Sequence, residues 1–233
     1  MNVFYSQLDP RWKNVIYSAV APHNETIGSA GCGICSACMV VSSLTDKEVL
    51  PPEMASYSVK NGFRIDGTGT AYALYPEIAK KYHFNCEQSY NIDNAIKCVK
   101  NGGMVVCSTD GGATGLFSTG GHLFILAQAA GNNCYFLDPM FSKDRYSKSF
   151  RKPYVTIDGN YVIVDKNIAK NHISTYFLFS KKEKVNEHSY DDAVNQMILD
   201  GVTTIENMQY WEKELAENYN FRTIIKRYQQ LIK

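Results

Sequence analysis

The order of hydrophobic and polar positions divides the chain into a helical half and a strand half. Residues 1–31 carry no helical period, which predicts an extended, loop-rich start. Cys32–Leu44 is apolar on nearly all sides, as expected of a buried helix. Three further helical patterns follow: PPEMASYSVKNG, a stretch that starts near Thr70 and contains Pro76, and NIDNAIKCVKNGG with Asn91 as its cap.

Beyond residue 103 the pattern changes to short β-branched or aromatic runs separated by Gly, Asn and Asp. The runs are MVVCST, HLFILA, CYFLD, YVIV and TYFLFS. Helices first and strands afterwards predict an α+β architecture with an antiparallel sheet. Because HLFILA alternates only weakly, we expect this strand to be buried on both faces.

A polar and charged segment, SKKEKVNEH, separates the last strand from a different pattern. Three amphipathic helical stripes follow it, and Ser189 with Asp192 forms a cap for the first of them. The sequence therefore predicts a main domain over 1–182 and a small three-helix module over 189–233. Whether this module stands apart or packs on the main domain stays open.

Composition and charge limit the possible functions. The 233 residues are 45% hydrophobic and 20% charged, with a net charge of +1 and no basic block, which argues against a nucleic-acid partner. The longest apolar runs are too short for a membrane span, and the N-terminus lacks the apolar core of a signal peptide. Seven cysteines in apolar contexts are typical of reduced, buried thiols. We expect a protein that is cytoplasmic as synthesised.

Three cysteines at a spacing of three residues open the buried helix: Cys32, Cys35 and Cys38. A metal site is disfavoured, because the chain lacks a second Cys-x2-Cys pair or a His pair, and this spacing drifts around a helix. We therefore expect neither a metal nor a cofactor. Cys35 and Cys38 fit a role as core side chains.

Cys32 stands at the predicted helix start between Gly31 and Gly33. Unpaired backbone N–H groups and the positive end of the helix dipole favour a thiolate at such a position. The glycines permit close approach of a substrate. Cys32 is the candidate nucleophile.

A thiol nucleophile needs a base and a group that orients it. His122 follows STGG and opens the strand HLFILA, so we expect it to be exposed at its tip but rigidly held. A hairpin turn centred on Ala130 pairs residues whose numbers sum to 260, which places Asp138 opposite His122. For the oxyanion hole, the backbone N–H of Cys32 and the side chain of Gln7 are the candidate donors.

Four motifs in this order resemble the bacteriocin-leader-peptidase-like cysteine peptidases: YSQLDPRW, TIGSAGCGICSACMVVSSLT, PPEMASYSVKNGFRIDGTGTAYALYPEIAKKY and GGHLFILAQAAGNNCYFLDP. The resemblance implies a papain-like fold, with Cys32 as nucleophile, His122 as base and acid, Asp138 as its orienting residue and Gln7 as the oxyanion donor. Family members often have proline and a small hydroxyl residue after the Gly-Cys-Gly motif. Here Ile34 and Cys35 follow, and this second thiol permits a reversible disulfide with Cys32.

The tail from residue 190 resembles the helical module behind the catalytic domain of some bacterial and phage cell-wall hydrolases. That resemblance implies a peptide or peptidoglycan-peptide substrate and release to the cell wall by a route without a signal peptide. Two alternatives remain: an acyl-transferring (transpeptidase) relative, and a non-catalytic module that binds peptides. The tail is also a candidate docking module for a partner.

Overall fold

The computed structural model describes residues 2–21, 24–112, 115–182 and 201, and the chain up to Lys182 forms one compact unit. Seven α-helices are present among these residues: α1 (Ile27–Ala30), α2 (Cys32–Leu44), α3 (Pro51–Lys60), α4 (Leu74–Lys81), α5 (Ile92–Lys100), α6 (Lys143–Ser147) and α7 (Lys166–Ala169). The nine strands in the described part of the chain are β1 (Arg64–Ile65), β2 (Gly69–Thr70), β3 (Phe84–Ser89), β4 (Met104–Thr109), β5 (His122–Ala130), β6 (Asn133–Leu137), β7 (Thr156–Asp158), β8 (Tyr161–Asp165) and β9 (Thr175–Lys181). The predicted α+β class is confirmed.

Seven strands form one antiparallel sheet in the order β3-β9-β4-β5-β6-β8-β7. The remaining pair, β1 and β2, forms a separate small hairpin. Strands β4 and β5, which carry the two most apolar runs, lie at the centre of the large sheet.

Helices cover both faces of the sheet, and this explains why the central strands show so little alternation. In β5, Leu123 and Ile125 belong to the core that contains α2 and α3, whereas Phe124 and Leu126 belong to the core that contains α5. A strand with a hydrophobic core on each side needs apolar residues at every position. The expected burial of HLFILA on both faces is therefore confirmed.

Helix α2 crosses the first of these cores and is its most buried element. Every residue from Gly33 to Val41 is buried, and the helix begins at Cys32 with Gly31 as its N-cap. Cys35 and Cys38 are fully buried, as predicted. The helix thus presents only its first residue towards solvent at this end.

Two local predictions need correction. The helix that contains Pro76, α4, begins at Leu74 and not near Thr70. Residues 69–70 pair with residues 64–65 in the small hairpin, and Pro76 fits only in the first turn of a helix. The strand β3 was not predicted, because its polar positions Asn85, Glu87 and Gln88 break the apolar pattern at the edge of the sheet.

The hairpin between β5 and β6 also differs from the predicted register. Ala130 pairs with Asn133, so the turn is Gly131–Asn132, and Gly131 takes the positive φ of 56° that suits the first position of such a turn. Ala127 is an extra residue, a β-bulge, beyond which Leu126 pairs with Phe136. Pairs therefore sum to 263 near the turn and 262 beyond the bulge, not to 260.

The predicted three-helix module at 189–233 lies outside the described residues, except for Gly201. Its boundary with the main domain stays a prediction. Among the residues that are described, no helix has the length and apolar character to cross a membrane.

Candidate active site

Cys32 lies at the margin of the hydrophobic core that contains α2 and α3. It is the first residue of α2 and its side chain is partly exposed, unlike Cys35 and Cys38. The start of this helix packs tightly on its neighbours: a Cβ on Gly33 would lie 2.5 Å from Cβ of Thr70 and 2.9 Å from Cδ1 of Leu123. Thr70 is itself held by a 2.9 Å hydrogen bond to the hydroxyl of Tyr17. Glycine at 33 thus lets the helix start approach the strand that carries His122.

His122 contacts both of its predicted partners. Its Nε2 lies 2.6 Å from Oδ1 of Asp138, and its ring is close enough to the thiol of Cys32 to lower the pKa of that thiol. Because Nε2 is engaged by the carboxylate, Nδ1 is the ring nitrogen left for the sulfur. The ring also stacks on Phe124, with centroids 5.9 Å apart. The expectation of an exposed tip was wrong: His122 is 4% exposed, since the sulfur, the carboxylate and Phe124 surround it.

The β-bulge explains how His122 and Asp138 meet despite the incorrect register. Beyond the bulge, the numbers of paired residues sum to 262. Asp138 comes directly after β6, and this register places it opposite Phe124, two positions along β5 from His122. Diagonal neighbours of this kind lie on one face of the sheet and within reach of each other. Without the extra residue at Ala127 the sum of 263 would put His122 and Asp138 on opposite faces.

Asp138 is fully buried and receives donors on both oxygens. The backbone N–H of Met140 donates to Oδ1 at 2.8 Å, and the Tyr146 hydroxyl donates to Oδ2 at 2.6 Å. Nε of Arg145 lies 3.3 Å from Oδ2. Arg145 and Tyr146, on the short helix α6, were not predicted; nothing in the pattern of SKDRYS connects it to a carboxylate several residues earlier. These contacts fix the carboxylate plane and so the orientation of the imidazole.

Gln7 is hydrogen-bonded both to the segment that follows Asp138 and to the segment that precedes Cys32. Its backbone N–H donates to the carbonyl of Pro139 at 2.8 Å, and its Nε2 donates to the carbonyl of Gly28 at 2.8 Å. The side chain is 1% exposed, and Oε1 has no hydrogen-bond partner among the described residues. One N–H of the amide is used by Gly28, and a primary amide has a second N–H to offer.

The charges of the three contacting groups support one another. Burial would raise the pKa of Asp138, but His122, Arg145 and Tyr146 lower this pKa to about 2. Burial would lower the pKa of His122, but Asp138 and Cys32 raise it to about 9. Burial opposes a charged Cys32, yet His122 and the backbone N–H groups of Leu123 and Gly33 lower the pKa of this thiol below its usual value. The geometry therefore favours a thiolate–imidazolium pair.

This arrangement can perform nucleophilic chemistry at a carbonyl carbon. It has a stabilised thiolate at a helix start, a proton donor in contact with it, and a carboxylate that holds the donor. Within the described ranges, no three His, Cys, Asp or Glu side chains are grouped so as to hold a metal ion.

Comparison with known proteins shows the family to which the chain belongs. The model of the Peptidase C39 like family matches residues 4–162. A solved structure from Bacillus anthracis, described as a C39-like peptidase, aligns with a TM-score of 0.46 and 15% identity over 78% of this chain and 96% of that one. No curated protein matches the chain. The family match spans more than half of the chain, from before Gln7 to beyond Asp138, and the chain therefore belongs to the Peptidase C39 like family of cysteine peptidases.

Proposed function

We propose that this protein is a thiol-dependent peptide hydrolase with Cys32 as nucleophile, His122 as general base and acid, and Asp138 as the residue that orients His122. The observation that carries the proposal is the unbroken chain of contacts from the Cys32 thiol through the imidazole to the buried carboxylate. Membership of a peptidase family supports the same reaction class.

In the acylation step the Cys32 thiolate attacks the carbonyl carbon of an amide. The carbonyl oxygen becomes negatively charged and accepts hydrogen bonds from the backbone N–H of Cys32 and from the free N–H of Gln7. Cys32 is the first residue of α2, where backbone N–H groups lack a partner within the helix. His122 then gives its proton to the leaving nitrogen, the C–N bond breaks, and a thioester remains on Cys32.

In the deacylation step His122 takes a proton from water, which attacks the thioester. The C–S bond breaks, the acid product leaves and the thiolate–imidazolium pair forms again. Throughout the cycle Asp138 stays ionised, because three hydrogen-bonding groups and the nearby Arg145 guanidinium surround its oxygens. The carboxylate is an electrostatic and geometric support and does not accept the proton.

For the substrate, we propose a peptide, and among peptides the cross-linking or stem peptide of peptidoglycan. The resemblance of the tail beyond residue 190 to modules of cell-wall hydrolases favours the second choice. A panel of linear peptides and of purified peptidoglycan fragments, with product identification by mass spectrometry, tests it. Hydrolysis that disappears in Cys32→Ala and persists in Cys38→Ala is the expected result.

Two other functions are distinguished by the same assay. A transpeptidase would join the acyl group to an added amine, so addition of glycine amide would yield a new amide in place of the acid product. A non-catalytic peptide-binding module would bind members of the panel without any Cys32-dependent cleavage, and this outcome would overturn the proposal.

A further inference from the structure

The first turn of α2 contains a second thiol that the proposed hydrolysis does not use. Cys32 is the first residue of the helix and Cys35 the fourth. In an α-helix, residues three apart have Cα atoms about 5 Å from each other. Disulfides join Cα atoms at about 4.4–6.8 Å, so this pair can be bridged without unwinding the helix.

The third cysteine of the helix cannot take part with Cys32. Residues six apart on a helix have Cα atoms about 10 Å from each other, which exceeds the span of a disulfide. The remaining four cysteines lie on β3, α5, β4 and β6, and none belongs to α2. Cys35 is therefore the thiol within reach of Cys32 on this helix.

The two thiols have complementary surroundings. Cys32 is partly exposed and has its pKa lowered by His122, whereas Cys35 is fully buried. Burial raises the pKa of Cys35 well above its usual value, and the negative charge of a Cys32 thiolate raises it further. The two thiols therefore interact electrostatically. A partly exposed reactive thiol with a buried neutral thiol three residues later is the arrangement of a redox-active cysteine pair.

The backbone between them tolerates the change. Gly33 lies inside the loop that a disulfide would close, and glycine adapts its backbone angles at the least cost. Cys35 donates its N–H to the carbonyl of Gly31 at 2.9 Å, and this bond stabilises the first turn whether or not the sulfurs are joined.

We propose that Cys32 and Cys35 form a reversible oxidative modification site, at which a hydroperoxide converts the nucleophile to an intrahelical disulfide. The Cys32 thiolate attacks a peroxide oxygen, the O–O bond breaks and a sulfenic acid forms, with the hydroxide or alkoxide leaving as water or alcohol. Sγ of Cys35 then attacks the sulfenic sulfur, and the thiol proton leaves with the hydroxyl as water. Sulfur is oxidised by two electrons and the peroxide is reduced by two.

The consequence is a nucleophile that oxidation switches off without destroying it. A sulfenic acid with no thiol in reach proceeds to the sulfinic state, which dithiothreitol does not reverse. A disulfide is reduced by thiol–disulfide exchange. The modification itself does not depend on the proposed hydrolysis, although its effect on turnover does.

The test uses the full-length reduced protein, freed of reductant and treated with equimolar hydrogen peroxide near pH 7. Free thiols are then alkylated under denaturing conditions, and the protein is digested without reduction and mapped by tandem mass spectrometry. We expect the peptide around Cys32 to lose two hydrogen atoms, with Cys38 alkylated and the Cys32–Cys35 pair protected. Cys32 reactivity towards iodoacetamide should fall at least about tenfold and return after dithiothreitol.

Variants make the result specific. Cys38→Ala should keep both the cross-link and the recovery, whereas Cys35→Ala and Cys35→Ser should lose the cross-link and become irreversibly oxidised at Cys32. A Cys35–Cys38 cross-link, or equal irreversible loss in wild type and Cys35→Ala, would overturn the proposal. The mass of the cross-linked peptide is measured without reference to peptidase activity. A cross-link in a protein that lacks this activity would therefore count against the hydrolase proposal alone.

Discussion

Asp138 and His122 form a buried ion pair in which each partner needs the other. A carboxylate and an imidazolium without partners are costly to bury, and removal of one partner from such a pair costs about 3–5 kcal/mol. Here the carboxylate also accepts hydrogen bonds from Tyr146 and from the backbone of Met140, and the Arg145 guanidinium lies 3.3 Å away. The residues that support Asp138 therefore have two effects: they stabilise the fold, and through Asp138 they hold the orientation of His122.

At this scale Gln7→Ala separates catalysis from thiol activation. With one oxyanion donor removed, we expect kcat to fall by about 10²–10³. Labelling of Cys32 by iodoacetamide should be unchanged, because the contact between Cys32 and His122 does not involve Gln7. Steady-state kinetics on a cleaved peptide, with labelling rates measured in parallel, provides the check.

Gln128→Ala is the matched control, since Gln128 is exposed and donates its side-chain N–H to Tyr161. It should leave kcat unchanged. If Gln7→Ala changes the free energy of unfolding but not kcat, Gln7 supports the loop at Gly28 and takes no part in the oxyanion hole.

The raised pKa of His122 makes stability depend on pH. A histidine whose pKa is raised by folding stabilises the native state fully below its unfolded value, near 6.5, and this contribution disappears as pH rises towards about 9. In a Cys32→Ala background, which removes the coupled thiol, the free energy of unfolding should fall by about 1–3 kcal/mol across that window. Urea titrations between pH 6 and pH 10 measure it.

The additional change His122→Gln should abolish this slope between about pH 6.5 and pH 8 while lowering stability at every pH. Above about pH 8 the buried thiols of Cys35 and Cys38, whose pKa values folding raises, add a slope of their own. The exposed His83, replaced by Asn to suit its positive φ of 60°, should leave the slope intact. A slope that survives His122→Gln would mean that another group titrates.

At the level of single residues, local chemistry is sufficient to nominate Cys32 and His122, because a helix start and a strand start are readable as patterns. The prediction of Asp138 depended on a strand register that the pattern gave incorrectly. The error at this end of the hairpin was two residues, an even number, so Asp138 still fell on the same face of the sheet as His122. Tyr146 and Arg145 were beyond prediction, because their contact with Asp138 is set by the path of the chain after Pro139.

At the scale of elements, the site depends on how α2 meets the central strands. Helix α2 begins against Thr70 and Leu123, and the bulge at Ala127 sets the face on which His122 lies. Sequence pattern predicted α2, α3, α5 and the central strands, since each is long or strongly apolar. The bulge and the polar edge strand β3 were not predicted, because tertiary pairing decides both.

The close approach of α2 yields a prediction at this scale. Gly33→Ala places a Cβ 2.5 Å from Thr70 and should destabilise the fold by about 1–3 kcal/mol. The displaced helix start should also slow Cys32 labelling. Thermal or urea unfolding and labelling rates are the measurements.

Gly121→Ala is the control, because Gly121 adjoins His122 and a Cβ there would meet no atom within 4 Å. It should change stability by no more than about 0.5 kcal/mol. Equal effects of the two substitutions would contradict the packing argument.

At the scale of the whole molecule, one sheet with a hydrophobic core on each face holds the residues up to Lys182 in one compact unit. The two cores share the central strands, so both should form in one cooperative transition. All four proposed site residues lie within this unit. The predicted module at 189–233 should therefore affect substrate capture or partner docking and not the reactivity of the thiol.

The chain truncated after Lys182 tests this division. We expect a single cooperative unfolding transition and an unchanged rate of Cys32 labelling. Binding to peptidoglycan or to a partner, measured by co-sedimentation with purified cell walls, should weaken. Loss of cooperative unfolding would show that the tail belongs to the main fold.

The thiolate–imidazolium pair is tested most directly by the pH dependence of iodoacetamide labelling at Cys32, mapped by mass spectrometry, in wild type and His122→Ala. We expect selective and rapid labelling of Cys32 at pH 6, because the imidazolium lowers the pKa of this thiol. In His122→Ala the profile should shift to higher pH. If Cys32 in the wild type labels no faster than an ordinary thiol and ignores the loss of His122, the thiolate–imidazolium pair does not exist and the hydrolase proposal fails with it.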